Sequence, residues 1–243
     1  MISRDLRGRI AGVLLYIAFL AFHISYVLRG WNFYNTAAKA NSLLITATIT
    51  FFLTSYFLRR KPVLFPKGWK ETVFPLFCAG LPLVIYHSVE LLRLVPVQNT
   101  VNVLLNTLAG LHYSSLLSWN LFSMTLVLFG NLIAFLGIAS LRRSFSIMVE
   151  AREPVFTGLY AYVRHPLYLG EIVATAGVLV FRFSLINGFF YVLFIVCQVY
   201  RAVLEEEKLI SVFPEYQQYR KRTGAFFPRS LRPTPYHHPR NHR

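Results

Sequence analysis

The chain has 243 residues, 55% hydrophobic and only 14% charged, with a formal net charge of +15. Soluble domains average roughly 25% charged residues, so this composition and the mean hydropathy of +0.48 exclude an ordinary soluble domain. A surplus of basic residues in a soluble protein suggests nucleic acid, but here its placement along the chain argues for a membrane surface instead.

In chain order, apolar runs occur at about 10–28, 42–58, 72–92, 116–139, 166–182 and 185–203. Crossing a ~30 Å hydrocarbon core takes about 20 apolar residues. Backbone groups in lipid must be satisfied within their own segment, which predicts helices. The expected fold is therefore all-α: a polytopic transmembrane bundle of about six spans. The first run follows Arg4, Arg7 and Arg9 and has no small-residue cleavage site, so it reads as a retained helix and not a removed signal peptide. The stretch 99–116 is too polar to span and is expected to lie at the interface or fold back. The fifth run is short and is separated from the sixth only by 182–188, which predicts a tight helical hairpin.

Four basic residues, Arg29, Lys39, Arg93 and Arg182, fall on one side of this arrangement; all the others of the 25 fall on the opposite side. That asymmetry is the positive-inside pattern and predicts an even number of spans with both termini cytoplasmic. The basic surplus then faces anionic headgroups, and membrane lipids replace nucleic acid as the expected partner. Cys78 and Cys197 lie inside predicted spans, so neither a disulfide framework nor a Cys-based metal site is expected. The tail 229–243 is rich in Pro and Arg and is expected to be mobile and headgroup-facing.

Polar residues are sparse in the first half: His23, His87, Glu90, Asn120 and Asn131. His87 and Glu90 are three apart on one helix face. A relay or ligand pair is one reading; bonding between helices near the span end is favoured, because polar groups there cost less than at the bilayer centre. In the second half, a connector over 142–166 and an exit segment over 200–222 flank one hairpin on one side. They supply Arg142, Arg143, Glu150, Arg152, Glu153, Arg164, His165, Arg201 and Glu205 to Glu207. Each charge alone suits a solvated ion-pair face. Pro166 suits the first turn of a helix. His165 and Tyr168 then flank free N–H groups that favour an anion, and Gly158 and Gly170 permit close approach. Together these groups suit a ligand with a carboxylate, a cation and an aromatic base.

The ordered set Ser-Phe-Ser (144–146), Gly-Leu-Tyr (158–160), Arg-His-Pro-Leu-Tyr-Leu-Gly (164–170), Arg201 with Glu205–Glu206, and a Phe-Pro-Glu-Tyr-x-x-Tyr tail (213–219) ending in Pro228 resembles a known superfamily. It is the isoprenylcysteine carboxyl methyltransferase and phospholipid methyltransferase superfamily of integral-membrane enzymes, and the likeness covers roughly 118–228. The resemblance implies S-adenosylmethionine in a cytosolic pocket. Its lining would be Glu150, Arg152, Glu153, Pro154 and Val155, then Tyr160, His165, Pro166, Leu167 and Tyr168, then Glu205. It also implies catalytic roles for Arg201, on the substrate's polar group, and for Glu205 and Glu206. The family often carries a second Arg where Val203 stands. The expected division is an N-terminal set of transmembrane helices over 1–115, a methyltransferase core over 116–228 and the basic tail over 229–243. The acceptor would be lipophilic or a small thiol, carboxylate or amine, and no metal is expected, since the His and carboxylates lack compact ligand spacing. A sterol-reductase-like oxidoreductase using NADPH and a non-enzymatic transporter or scaffold are the alternatives. The implied location is the bacterial inner membrane or endoplasmic reticulum, with the active site facing the cytoplasm.

Overall fold

The computed structural model describes residues 4–34, 36–57, 61–88, 117–141 and 144–230. The expectations for 99–116, Glu90, Arg142, Arg143 and the end of the tail lie outside the described residues. Among the described residues seven α-helices form: α1 (Arg4–Gly30), α2 (Thr36–Phe57), α3 (Gly68–Tyr86), α4 (Leu117–Leu141), α5 (Pro166–Phe181), α6 (Leu185–Val212) and α7 (Tyr216–Arg222). The first six match the six apolar runs, and the short break after Phe181 makes the predicted hairpin. Three helical segments, Gly12–Gly30, Trp119–Leu141 and Leu185–Val212, are long and apolar enough to cross a membrane; Ser42–Tyr56 and Pro166–Phe181 are shorter apolar helices. The protein is an integral-membrane helical bundle.

Side-chain placement follows a lipid solvent. On α4, Leu128, Phe129, Leu132 and Phe135 point outward and are exposed, while Val127, Ala134 and Ile138 are buried. Between helices no hydrophobic drive exists in lipid, so small residues that allow close backbone contact decide the packing. The α4–α5 pair is built this way. A Cβ on Gly130 would lie 2.2 Å from the Ala174 nitrogen, and one on Gly170 would lie 2.5 Å from the Ala134 nitrogen. The hydroxyl of Ser123 donates to the Gly177 carbonyl at 2.8 Å across the same seam. Gly170, which the sequence offers to either a ligand or a helix, serves a helix.

α1 packs on α2, α2 on α4, and α3 on both α5 and α6. Tyr16, Phe52 and Tyr56 from α1 and α2 share one apolar cluster with Leu167 and Tyr168 of α5 and Ala202 of α6. α3 ends at Tyr86, and His87 forms its C-cap. Buried His87 then approaches His23 of α1, Nε2 to Nδ1 at 3.4 Å, so it bonds between helices. His23 also reaches the Ser42 carbonyl at 3.2 Å.

One end of the bundle carries the connector. There the loop before α3 pairs with it: Val63 N–H donates to the Ala151 carbonyl at 2.8 Å, and Ala151 N–H to the Leu64 carbonyl at 3.1 Å. Buried Lys208, one turn from the end of α6, donates to the carbonyls of Phe65 at 2.8 Å and Val149 at 3.0 Å, and to the Glu71 carboxylate. These bonds tie α3 and the loop before it to the connector and α6.

Candidate active site

Local backbone chemistry sets the site. Pro166 occupies the first turn of α5 with His165 as N-cap, and no side chain caps the helix, so the His165 ring is left for tertiary contacts. The connector turns through a 3₁₀ segment at Gly158–Ala161. Gly158 has φ +64°, a conformation that glycine adopts without steric cost. Arg164 N–H donates to the Gly224 carbonyl at 2.8 Å and His165 N–H to the Ala225 carbonyl at 3.0 Å, so the segment after α7 closes under the start of α5.

These pieces line a cavity of about 720 Å³, a volume that takes in its solvent-open side. The connector contributes Glu150, Arg152, Glu153, Pro154 and Val155. The 3₁₀ turn adds Tyr160; the start of α5 adds His165, Leu167 and Tyr168; α6 adds Glu205. The sequence-derived cofactor residues thus share one cavity, apart from Pro166, which is buried in the first turn of α5 and shapes backbone without lining the space. Arg201 and Glu206 stand behind the lining. Glu207 points away and is exposed.

The charges are arranged in two groups. Glu206 accepts from Arg164 Nε at 2.7 Å and from His165 Nε2 at 2.9 Å, and it meets Arg220 Nε at 2.8 Å. Three donors saturate this carboxylate, so it holds Arg164 and His165 in place. Glu205 is different. It accepts from the Tyr168 hydroxyl and lies 3.3 Å from Arg201 Nε, an ion contact without hydrogen-bond alignment. The buried Arg201 guanidinium sits 4.7 Å from the Tyr168 ring centroid and donates from Nη2 to the Ser146 carbonyl at 3.2 Å. The His165 ring stacks on Tyr168 with centroids 5.4 Å apart. On the connector, Arg152 Nη2 and the Glu150 carboxylate pair at 2.5 Å.

Aromatic residues close the remaining wall. Tyr219 donates from its hydroxyl to the Tyr160 carbonyl at 2.6 Å, and both line the cavity with Tyr216. Burial pushes the phenols of Tyr160, Tyr216 and Tyr219 above the usual tyrosine range, so they act as neutral donors. Sequence reasoning placed Tyr219 in the tail motif without giving it a role, and did not single out Lys208 or Glu71. Tyr219 is three residues past Tyr216, a one-face spacing, which is a signal for a shared role at the cavity. Lys208 follows three glutamates and reads as a solvated charge until its carbonyl partners are seen.

Residues 123–211 match the family model of the isoprenylcysteine carboxyl methyltransferase (ICMT) family. The resemblance read from the motifs therefore holds over most of α4, the connector, α5 and nearly all of α6. The nickel-cobalt-cadmium resistance protein NccN of Alcaligenes xylosoxydans xylosoxydans is 35% identical over 81 residues, covering 33% of this chain and 38% of that protein. The aligned part is thus well under half of either chain.

Proposed function

We propose, from the ICMT likeness of residues 123–211, that the protein is a multi-pass membrane methyltransferase. It uses S-adenosylmethionine at the cytosolic end of the bundle and methylates a lipophilic or membrane-partitioning acceptor. The observation that carries this reading is the convergence of connector, 3₁₀ turn, α5 and α6 residues on one cavity. Both termini face the cytoplasm in this reading, the core is 116–228, and the helices before it complete the bundle.

The residues present fit the cofactor. Glu150, Glu153 and Glu205 offer carboxylates to its cationic groups, Arg152 and Arg164 offer cations to its carboxylate, and Tyr160, Tyr168 and His165 offer aromatic faces to its base. When bound, the group supplies an electrophilic methyl on a sulfonium sulfur. In-line displacement depends on alignment, and positioning contributes up to about 7–11 kcal/mol in ideal intramolecular cases. Tyr168 and Arg201 are the groups placed for it: Tyr168 lines the cavity, and Arg201 packs over its ring from behind. A carboxylate acceptor brings no proton to remove, and Arg201 would orient it. For a thiol or amine acceptor the proton needs a base, and of the adjacent pair Glu205 and Glu206 on α6 it is Glu205 that lines the cavity. Glu206 is a positioning residue, because its oxygens are engaged by Arg164, His165 and Arg220.

Calorimetric titration of the detergent-purified protein with S-adenosylmethionine, its demethylated product and NADPH tests the reading. Saturable binding of the first two, weakened in His165→Ala and Glu205→Gln, is expected. NADPH binding alone, or no binding of any of the three, overturns it.

A further inference from the structure

A shallow groove lies beside the cofactor cavity, lined by Arg164, Gln217, Arg220, Lys221 and Arg229. Four of these five side chains are cations, and among the described residues no carboxylate lines the groove. Glu206 offsets one charge from behind, through Arg220 Nε at 2.8 Å. Backbone carbonyls hold two others. Arg164 Nη1 donates to the Arg220 carbonyl at 2.8 Å and to that of Thr223, and Arg229 Nη1 donates to the Lys221 carbonyl. The Lys221 ammonium has no such contact among the described residues. Like charges gathered in one groove repel each other, and an anion placed among them turns that repulsion into attraction. An Arg whose Nε is engaged keeps further N–H donors in a fork that suits a phosphate.

The groove sits where the apolar zone begins. Arg164 and His165 precede the first turn of α5, and their N–H groups bond to Gly224 and Ala225, so the segment after α7 lies at that level. Phe226 turns inward, its ring 5.8 Å from that of His165. Phe227 turns outward and is 78% exposed. Tyr162, on the same connector as Arg164, is exposed as well. Exposed aromatic rings beside basic side chains suit a surface seated among headgroups, where anionic lipids supply phosphate.

We propose that this groove binds the phosphate of an anionic phospholipid headgroup, and that the bound headgroup tightens the cofactor cavity. A phosphate bridging Arg220 or Lys221 on α7 to Arg229 beyond the turn fastens the closing segment. The same elements wall the cofactor cavity, since Arg164 lines both spaces and Tyr216 and Tyr219 of α7 line the cavity. Lipid and cofactor then favour each other's binding by the same factor. The coupling rests on the S-adenosylmethionine reading above; the groove does not.

The test uses the full chain in nanodiscs of phosphatidylcholine alone and in nanodiscs that also contain phosphatidylglycerol. Melting is read without cofactor, and S-adenosylmethionine affinity by calorimetry. Phosphatidylglycerol should raise the melting temperature and tighten S-adenosylmethionine at least about fivefold, the low end of coupling between sites. Lys221→Gln and Arg229→Gln should each weaken both effects. Arg222→Gln removes a neighbouring exposed charge that does not line the groove and should leave them intact. Glycerol 3-phosphate added to the neutral nanodiscs stands for phosphate in solution and should do little. No melting shift with phosphatidylglycerol overturns the lipid site. Equal losses in Lys221→Gln and Arg222→Gln, the mark of diffuse surface attraction, overturn it too, as does a full effect from glycerol 3-phosphate. A melting shift with unchanged S-adenosylmethionine affinity overturns the coupling. S-adenosylmethionine binding in neither nanodisc overturns the cofactor reading and the coupling together, while the melting shift still decides the groove.

Discussion

Replacing Glu206 by Gln removes a charge that Arg164, His165 and Arg220 share, and the structure predicts how unequal their losses are. Arg164 and His165 are nearly buried, with side chains 9% and 7% exposed, while Arg220 is 44% exposed. Stranding a buried partner costs about 3–5 kcal/mol, whereas an exposed ion pair contributes about 0–1 kcal/mol. Gln keeps one carbonyl oxygen as acceptor, so the low end, about 3 kcal/mol, applies to Glu206→Gln. For chains of this size 1 kcal/mol moves the melting temperature by about 2–4 °C, giving a fall of about 6–12 °C. Arg220→Ala, which removes only the exposed contact, should shift melting by no more than about 4 °C on the same scale. Intrinsic-fluorescence melting in detergent measures both. Cofactor affinity, followed by calorimetry, should also fall in Glu206→Gln, because Arg164 and His165 line the cavity. Equal melting shifts in the two variants, or a silent Glu206→Gln, would refute the assignment of this carboxylate as the buried anchor.

Gly130→Val should separate α4 from α5 and cost at least about 1–3 kcal/mol of overpacking, seen as lost monodispersity or lowered melting. Gly188→Ala, where an added Cβ meets nothing within 4 Å, is the control and should be neutral or stabilising by up to about 1 kcal/mol. Lys208→Met removes the bonds to Phe65, Val149 and Glu71. Hydrogen–deuterium exchange should quicken at 61–71 and 146–151 while the α4–α5 seam keeps its protection; unchanged exchange there would contradict the tie. Tyr219→Phe deletes the bond to the Tyr160 carbonyl and should lower stability by about 0.5–1.5 kcal/mol. Burial raises the Tyr219 phenol above the ~10 of a free tyrosine. Its stabilising contribution should therefore be constant below about pH 10 and be lost only at higher pH, as a melting series against pH would show.

The helices were legible in the sequence because lipid imposes one rule: backbone polar groups must be satisfied within the segment, so an apolar run of sufficient length is a helix. Pro166 likewise announced the start of α5, and the ordered motifs marked which segments share a cavity. What the chain could not disclose was pairing at long range. Glu205, Glu206 and Glu207 are chemically alike in one dimension. The tertiary fold separates them, because the pitch of α6 turns Glu205 to the cavity, Glu206 into the Arg164–His165–Arg220 cluster and Glu207 outward. Gly170 could have served a ligand or a helix until α4 was seen against it. Glu171 reads as one more charge at the mouth of a span, yet it belongs to a chamber that exists only once six helices enclose it. Periodicity and hydropathy determine which segments form apolar helices; only packing decides which of their few polar groups meet, since those contacts join residues far apart in sequence.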